Sequence, residues 1–151
     1  MAKRFRFSLQ KVLDLREHRE EQKAIELGKA KAELQKKEQV LNRLKKEKNR
    51  QINESKWYQS EQPDLNAIRV AGSYVEQLNT AINQTKQQVN EKNKKVEIRR
   101  TELLSAVKDK KIVEMLKKKK IEEYKREVLH QERKNEDELA IRMTSRKQQE
   151  N

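Results

Sequence analysis

Through the second half of the chain, apolar residues return every seven positions: Ile68, Val75, Ile82, Val89, Val96 and Leu103. A seven-residue repeat keeps one face of an α-helix turned toward a partner helix, and β-branched residues at five consecutive positions suit the a line of a coiled coil. Ala71, Leu78 and Ala106 supply part of the companion line. The first half shows a weaker version of the same pattern. Leu13, Leu27, Leu34 and Leu41 share one register, with Leu9, Ala30 and Leu44 on the adjacent line, while Glu20, Lys23 and Lys37 interrupt the seam. Polar seam residues cost stability, so this helix is expected to be weaker than an uninterrupted zipper.

The two patterns are separated by Q-S-E-Q-P-D at residues 59–64. Pro63 disfavours helix at Gln62, and Asp64 is placed to cap a helix beginning at Leu65. A connection this short folds its flanking helices into an antiparallel pair. The expectation is an all-α fold, a long antiparallel two-helix coiled coil with a projecting C-terminal helical end. It forms a single coiled-coil domain over residues 1–151, with helix 1 at about 5–57, a turn at 58–64 and helix 2 at about 65–146.

Beyond Leu103 the residues Val107, Ile112, Leu116, Ile121, Val128 and Leu129 leave the earlier track. The apolar stripe drifts or passes through a stutter, which points to a change of packing partner. At 1.5 Å per residue the arms are about 80 Å and about 120 Å long. Pairing is therefore expected to end near Leu116, leaving Ile121, Val128, Leu129 and Leu139 without an internal partner. Gly28 and Gly72 lie inside the helical patterns, where each costs up to about 1 kcal/mol against alanine. They are either tolerated surface positions or places where another helix comes close.

Composition sharpens this picture. Of 151 residues, 32% are hydrophobic and 42% charged, with two glycines and one proline. An ordinary globular domain of this length would carry roughly 45–50% apolar residues, so a compact globule is excluded. The helix-forming residues Ala, Leu, Glu, Gln, Lys and Arg dominate, and the regular apolar spacing argues against disorder. The net charge of +13 attracts acidic protein, lipid headgroups and nucleic acid alike. The lack of cysteine removes disulfides and thiolate chemistry. No stretch reads as a signal segment or membrane span, which gives a cytoplasmic expectation.

Candidate chemistry is sparse. Two glycines cannot build a phosphate loop of the G-x-x-x-x-G-K-[ST] type. His18 and His130 each lack the second histidine, three or four residues away, that a helical metal site shows. A two-helix rod offers no sheltered pocket for catalysis. No metal, cofactor or enzymatic activity is expected. Lys108, Lys110, Lys111 and Lys117–Lys120 wrap around successive helix faces. They supply point charges rather than the arginines and asparagines that read base edges, and the aromatics Trp57 and Tyr58 lie far off in sequence. No specific nucleic acid is expected. An interfacial lipid helix would need a stronger apolar face than Ile112, Met115 and Leu116 provide.

The opening K-R-F-R-F-S-L-Q-K-V-L-D-L-R-E-H-R-E-E-Q-K-A strongly resembles that of the FliJ family of bacterial flagellar export proteins. The matching residues are Phe5, Phe7, Leu9, Gln10, Lys11, Val12, Leu13, Leu15 and Arg16. The second helix is similar at Val96, Glu97, Arg99, Arg100, Leu103, Ala106, Lys108, Lys111, Glu114, Leu116 and Tyr124, then at Gln131, Glu132, Asp137 and Glu138. The aromatic start, the central break and the basic distal helix occur in the family's order.

The resemblance implies a nonenzymatic part of the flagellar type III export apparatus, resembling the central stalk of rotary ATPases. Its implied partners are the hexameric flagellar export ATPase, the transmembrane export gate protein and export chaperones, at the cytoplasmic face of the membrane at the flagellar base. By the stalk comparison, the end carrying both termini meets the ATPase. Phe5, Phe7, Leu9, Leu103 and Leu116 are then expected to pack there, and Arg99, Arg100, Lys108, Lys111, Lys117, Lys118 and Lys119 to face acidic residues. Trp57, Tyr58 and Tyr74, at the other end, are expected either to contact the gate or chaperones, or to seal the turn. Other readings are a stalk of a virulence-type secretion ATPase and a basic coiled-coil nucleic-acid-binding protein. Salt-sensitive nucleic-acid binding with no effect on an ATPase would mark the latter.

Overall fold

The computed structural model describes residues 4–54 and 64–151. It holds two helices, α1 at Gln10–Glu54 and α2 at Leu65–Glu150. The fold is all-α, and the helices pair in antiparallel sense. Lys23 meets Glu102 at 3.4 Å and Glu33 meets Lys92 at 3.0 Å, so the α2 partner number falls by ten as the α1 number rises by ten. The chain divides into two units, one of residues 21–105 and one joining the N-terminal residues up to Glu20 with residues 106–151. They are called below the hairpin unit and the terminal unit.

In the hairpin unit, Leu27, Ala30 and Val96 form a buried cluster on which Leu34 and Leu103 pack. The six residues of the α2 repeat are all buried or half-buried, as their spacing requires. The small Ala30 sits beside Val96 in this cluster. Thr85 occupies the seam where the repeat lacks an apolar residue. Its hydroxyl donates to the Ala81 carbonyl at 2.7 Å, so a polar group is buried without being orphaned.

The entry to α2 follows the expected cap. Asp64 Oδ1 accepts from the backbone N–H of Asn66 at 3.0 Å and of Ala67 at 3.4 Å, and Ile68 N–H donates to the Asp64 carbonyl at 3.0 Å. Residues 55–63, which hold Pro63, Trp57 and Tyr58, lie outside the described residues. At the other end of α1 the helix opens at Gln10 rather than near residue 5. Leu13 N–H donates to Leu9 O at 3.0 Å, and Gln10 N–H closes a turn on Phe7 O at 3.1 Å. Phe5 and Phe7 are half-buried while Arg4 and Arg6 are exposed. That alternation has the two-residue period of extended chain, whereas a helix would point residues 5 and 7 to different faces.

Neither interior glycine accommodates a neighbour. A Cβ built at Gly28 or Gly72 meets no atom beyond its own helix within 4 Å among the described residues, which excludes the close-approach reading there. Gly28→Ala and Gly72→Ala should each stabilise the protein by about 0.5–1 kcal/mol through helix propensity alone. Thermal melts followed by circular dichroism check this; a lowered midpoint would mean the open space is not what governs these positions.

The flank of the hairpin unit is closed by ion pairs. Arg99 binds Glu26 at 3.3 Å and Glu102 at 3.1 Å, and Lys23 binds the same two carboxylates. The Glu102 carboxyl is held below its ordinary value by its hydrogen bond from Arg99, with Lys23 adding to the effect. Glu33 is lowered by its hydrogen bond from Lys92 and by the charges of Lys92 and Lys95. Carboxylates depressed in the folded state stabilise above their unfolded value of 4.5, and that contribution is lost as pH falls through the lowered folded values. The melting midpoint should therefore drop in acid, and Glu102→Gln should flatten part of that drop. Identical pH curves for the native chain and the variant would remove this pair as a source.

Candidate functional site

The terminal unit gathers the residues that the sequence pattern left without partners. Its N-terminal strap, residues 4–8, lies along α2 and borders a groove lined by Lys120, Tyr124, Val128 and Glu132. Phe5 packs on Tyr124 with ring centroids 5.6 Å apart and an interplanar angle of 52°, a tilted arrangement favoured by the ring quadrupoles. Pairing in this unit thus runs past Leu116. The helical part of α1 ends it at Gln10, whose Oε1 accepts from Lys117 Nζ at 2.8 Å, and the strap carries it on to Tyr124.

Leu13, Ala106 and Val113 are the buried apolar residues of this unit. Between them the seam is charged. Arg16 Nη1 donates to the Asp109 carbonyl at 2.6 Å. Lys110 Nζ lies 2.7 Å from Glu20 Oε2 and 3.7 Å from Glu114 Oε1. The Glu20 oxygen is shielded from water and makes no directed hydrogen bond, so it faces the Lys110 ammonium as an ion pair. Lys110 is raised above its ordinary value by Glu20 first, with Glu114 and Glu17 contributing against the cost of burial.

On α2 the half-buried and buried positions run Lys110, Val113, Lys117, Ile121, Tyr124 and Val128. The steps are three, four, four, three and four residues, a local stutter of the heptad. Ile121 and Val128 are half-buried, and Val128 lines the groove that the strap borders. Farther on, every residue from Leu129 to Asn151 is exposed.

The residues expected to meet a partner separate into distinct environments. Phe5 packs on Tyr124 of α2, Phe7 is half-buried in the strap, and Leu9 and Leu116 sit at the exposed margin, 37% and 36% accessible. Lys108, Lys111, Lys118 and Lys119 are exposed, whereas Lys117 is half-buried against Gln10. Arg99, Arg100 and Leu103 belong to the hairpin unit. There Arg99 is engaged by Glu26 and Glu102, Arg100 pairs with Glu97 at 3.1 Å, and Leu103 packs on the core. Tyr74 is also in the hairpin unit, 37% exposed, and its hydroxyl donates to Glu47 Oε1 at 3.3 Å. Burial and the Glu47 carboxylate both push its pKa up.

Among the exposed apolar residues not singled out as contacts from the sequence, the terminal unit holds Val12 at 36%, Leu15 at 68%, Ile112 at 62% and Met115 at 71% on its paired segments. They lie off the a and d lines of their helices, which is the one signal the sequence offered.

Among the described residues there is no group of three or more histidine, cysteine or acidic side chains able to hold a metal ion. No helix there is long and apolar enough to cross a membrane. In comparisons with known proteins, a family model described as Flagellar FliJ protein matches residues 5–149. No curated protein and no solved structure matches significantly.

Proposed function

Because the chain belongs to the FliJ family of flagellar proteins, we propose that it is a nonenzymatic flagellar export component that binds the hexameric export ATPase as a central-stalk-like subunit. The observation that carries this reading is the family match over residues 5–149. It favours an export role over nonspecific nucleic-acid binding, for which the sequence offers charge alone. The partners that follow are the export ATPase, the export gate and export chaperones, met at the cytoplasmic face of the flagellar base.

The terminal unit is the part proposed to meet the ATPase. Its exposed Lys108, Lys111, Lys118 and Lys119 would steer the encounter with acidic residues, since clustered charge raises association rates more than it tightens a formed complex. Phe5, Phe7, Leu9 and Leu116 would supply the packing. Arg99 and Leu103, occupied within the hairpin unit, take a supporting part by holding the helices in register. Tyr74 remains the candidate contact for the gate or a chaperone in the hairpin unit.

The test measures ATP hydrolysis by the cognate flagellar export ATPase with and without the chain, beside a Lys118→Glu/Lys119→Glu variant. These two lysines are chosen because Lys117 holds Gln10. Stimulation by the native chain, weakened severalfold by the charge reversal and by added salt, is the expected result. An unchanged rate under conditions where the hexamer is assembled overturns the activating-stalk reading.

A further inference from the structure

Antiparallel pairing brings the g positions of both helices to one flank. The contacts Glu33 to Lys95 at 3.5 Å and Glu47 to Tyr74 at 3.3 Å are both between g positions. Over the hairpin-unit part of α1 the g residues are Glu26, Glu33, Val40 and Glu47, and each of these glutamates is bridged to α2. That flank is closed by polar contacts, as suits helices with a single neighbour.

In the terminal unit the same flank changes character. Over residues 9–20 and 106–120 the g and c positions are Val12, Leu15, Arg19, Asp109, Ile112, Leu116 and Lys119. Four are apolar, and Leu15 and Ile112 are more than 60% exposed. The e and b positions of the opposite flank hold Gln10, Asp14, Glu17, Lys111, Glu114 and Lys118, with one apolar residue, Val107. An apolar a/d seam alone marks a helix with one neighbour. Apolar residues at g and c beside the seam, on both helices at once, make a second apolar face of the kind that a third helix covers.

We infer that this flank of the terminal unit is a docking groove for a third helix, an acidic amphipathic helix contributed by a partner protein. Its apolar stripe lies between Val12 and Leu15 of α1 and Ile112 and Leu116 of α2. Its acidic margins meet Arg19 and Lys119, with Asp109 the single acid on the flank. The same basic margins disfavour a second copy of this chain, which would bring like charges together. This inference shares Leu116 and Lys119 with the ATPase reading but rests on the heptad pattern, and its readout involves no ATPase, so the two can fail separately.

The probe is a fluorescein-labelled designed peptide of four heptads with leucine at a and d and glutamate at e and g. Anisotropy is measured with the full chain and with a Leu15→Glu/Ile112→Glu variant, whose exposed positions leave the seam intact. A Leu15→Gln/Ile112→Gln variant serves if circular dichroism shows lost helix in the first. The native chain should bind the peptide, and the variant about tenfold or more weakly, as for loss of central interface residues. A peptide with lysine in place of glutamate should bind much more weakly.

The inference is overturned if the native chain does not bind the acidic peptide, if the variant binds it equally, or if the lysine peptide binds as well. It is also overturned if sedimentation shows self-association that the variant abolishes, which makes the occupant a second copy. Flank-dependent binding to anionic lipid vesicles without peptide binding assigns the surface to a membrane instead.

Discussion

Replacing Lys110 by glutamate should open the pairing of α1 residues 10–20 against α2, while the buried cluster of the hairpin unit keeps its native contacts. The substitution places a fourth carboxylate among Glu20, Glu114 and Glu17, the groups that raise the Lys110 pKa. Glu20 and Lys110 side chains are only 27% and 23% exposed, so water would screen the repulsion poorly. The neighbouring contacts of Arg16 with Asp109 and of Lys117 with Gln10 depend on the same register and should weaken together. Hydrogen exchange resolved by residue is the measurement: amides near Leu13 should lose most of their protection, while those near Leu27 and Val96 change little.

Two companion variants decide what the pair contributes. Glu20→Lys/Lys110→Glu restores opposite charges and should recover most of the protection. Glu20→Leu/Lys110→Leu removes both charges and should match or exceed native stability, because the desolvation of a half-buried ion pair offsets much of its attraction. If Lys110→Glu alone leaves the protection near Leu13 unchanged, the pair does not hold this unit closed.

Leu27→Ala is the second large effect, with an expected loss of about 2–3 kcal/mol. Leu27 is 8% exposed and packs with Ala30 and Val96 in the buried cluster. Truncation removes its transfer free energy and leaves a gap between two helices. The estimate sits at the low end of the leucine-to-alanine range because a two-helix interface can close partly on the gap, and alanine is a good helix former. Leu15→Ala, at a position 68% exposed, should change stability by no more than about 0.5 kcal/mol. Urea unfolding of both variants provides the comparison. Equal losses would show that burial along the a and d lines is not the main source of stability.

The helices and their pairing sense were legible because a heptad is a local signal repeated many times. Ile68 through Leu103 state the same instruction at six positions, and Asp64 marks the restart of helix with its own side chain. The interruptions at Glu20 and Lys23 were legible only as costs. Their partners, Lys110 and Glu102, lie about 80 to 90 residues away, and the antiparallel register is needed to find them. The same register decides that Arg99 is engaged inside the hairpin unit while Lys118 and Lys119 face solvent. In sequence all three are simply cations in a basic stretch.

The candidate docking flank shows the division most clearly. Val12, Leu15, Ile112 and Leu116 were visible as apolar residues, Leu15 only as a family match and Ile112 as part of the drifting stripe. Two distant helix segments share a flank only once their pairing direction and heptad phases are set together. By itself the sequence determined the helical period, the cap at Asp64 that opens the second helix, the excess of positive charge and the family. The tertiary structure decided which charges are matched across the seam, that the strap holding Phe5 and Phe7 is extended with Phe5 on Tyr124, and which flank remains apolar. The reason is physical: periodicity and capping act over one or two helical turns, whereas pairing depends on residues brought together from opposite ends of the chain.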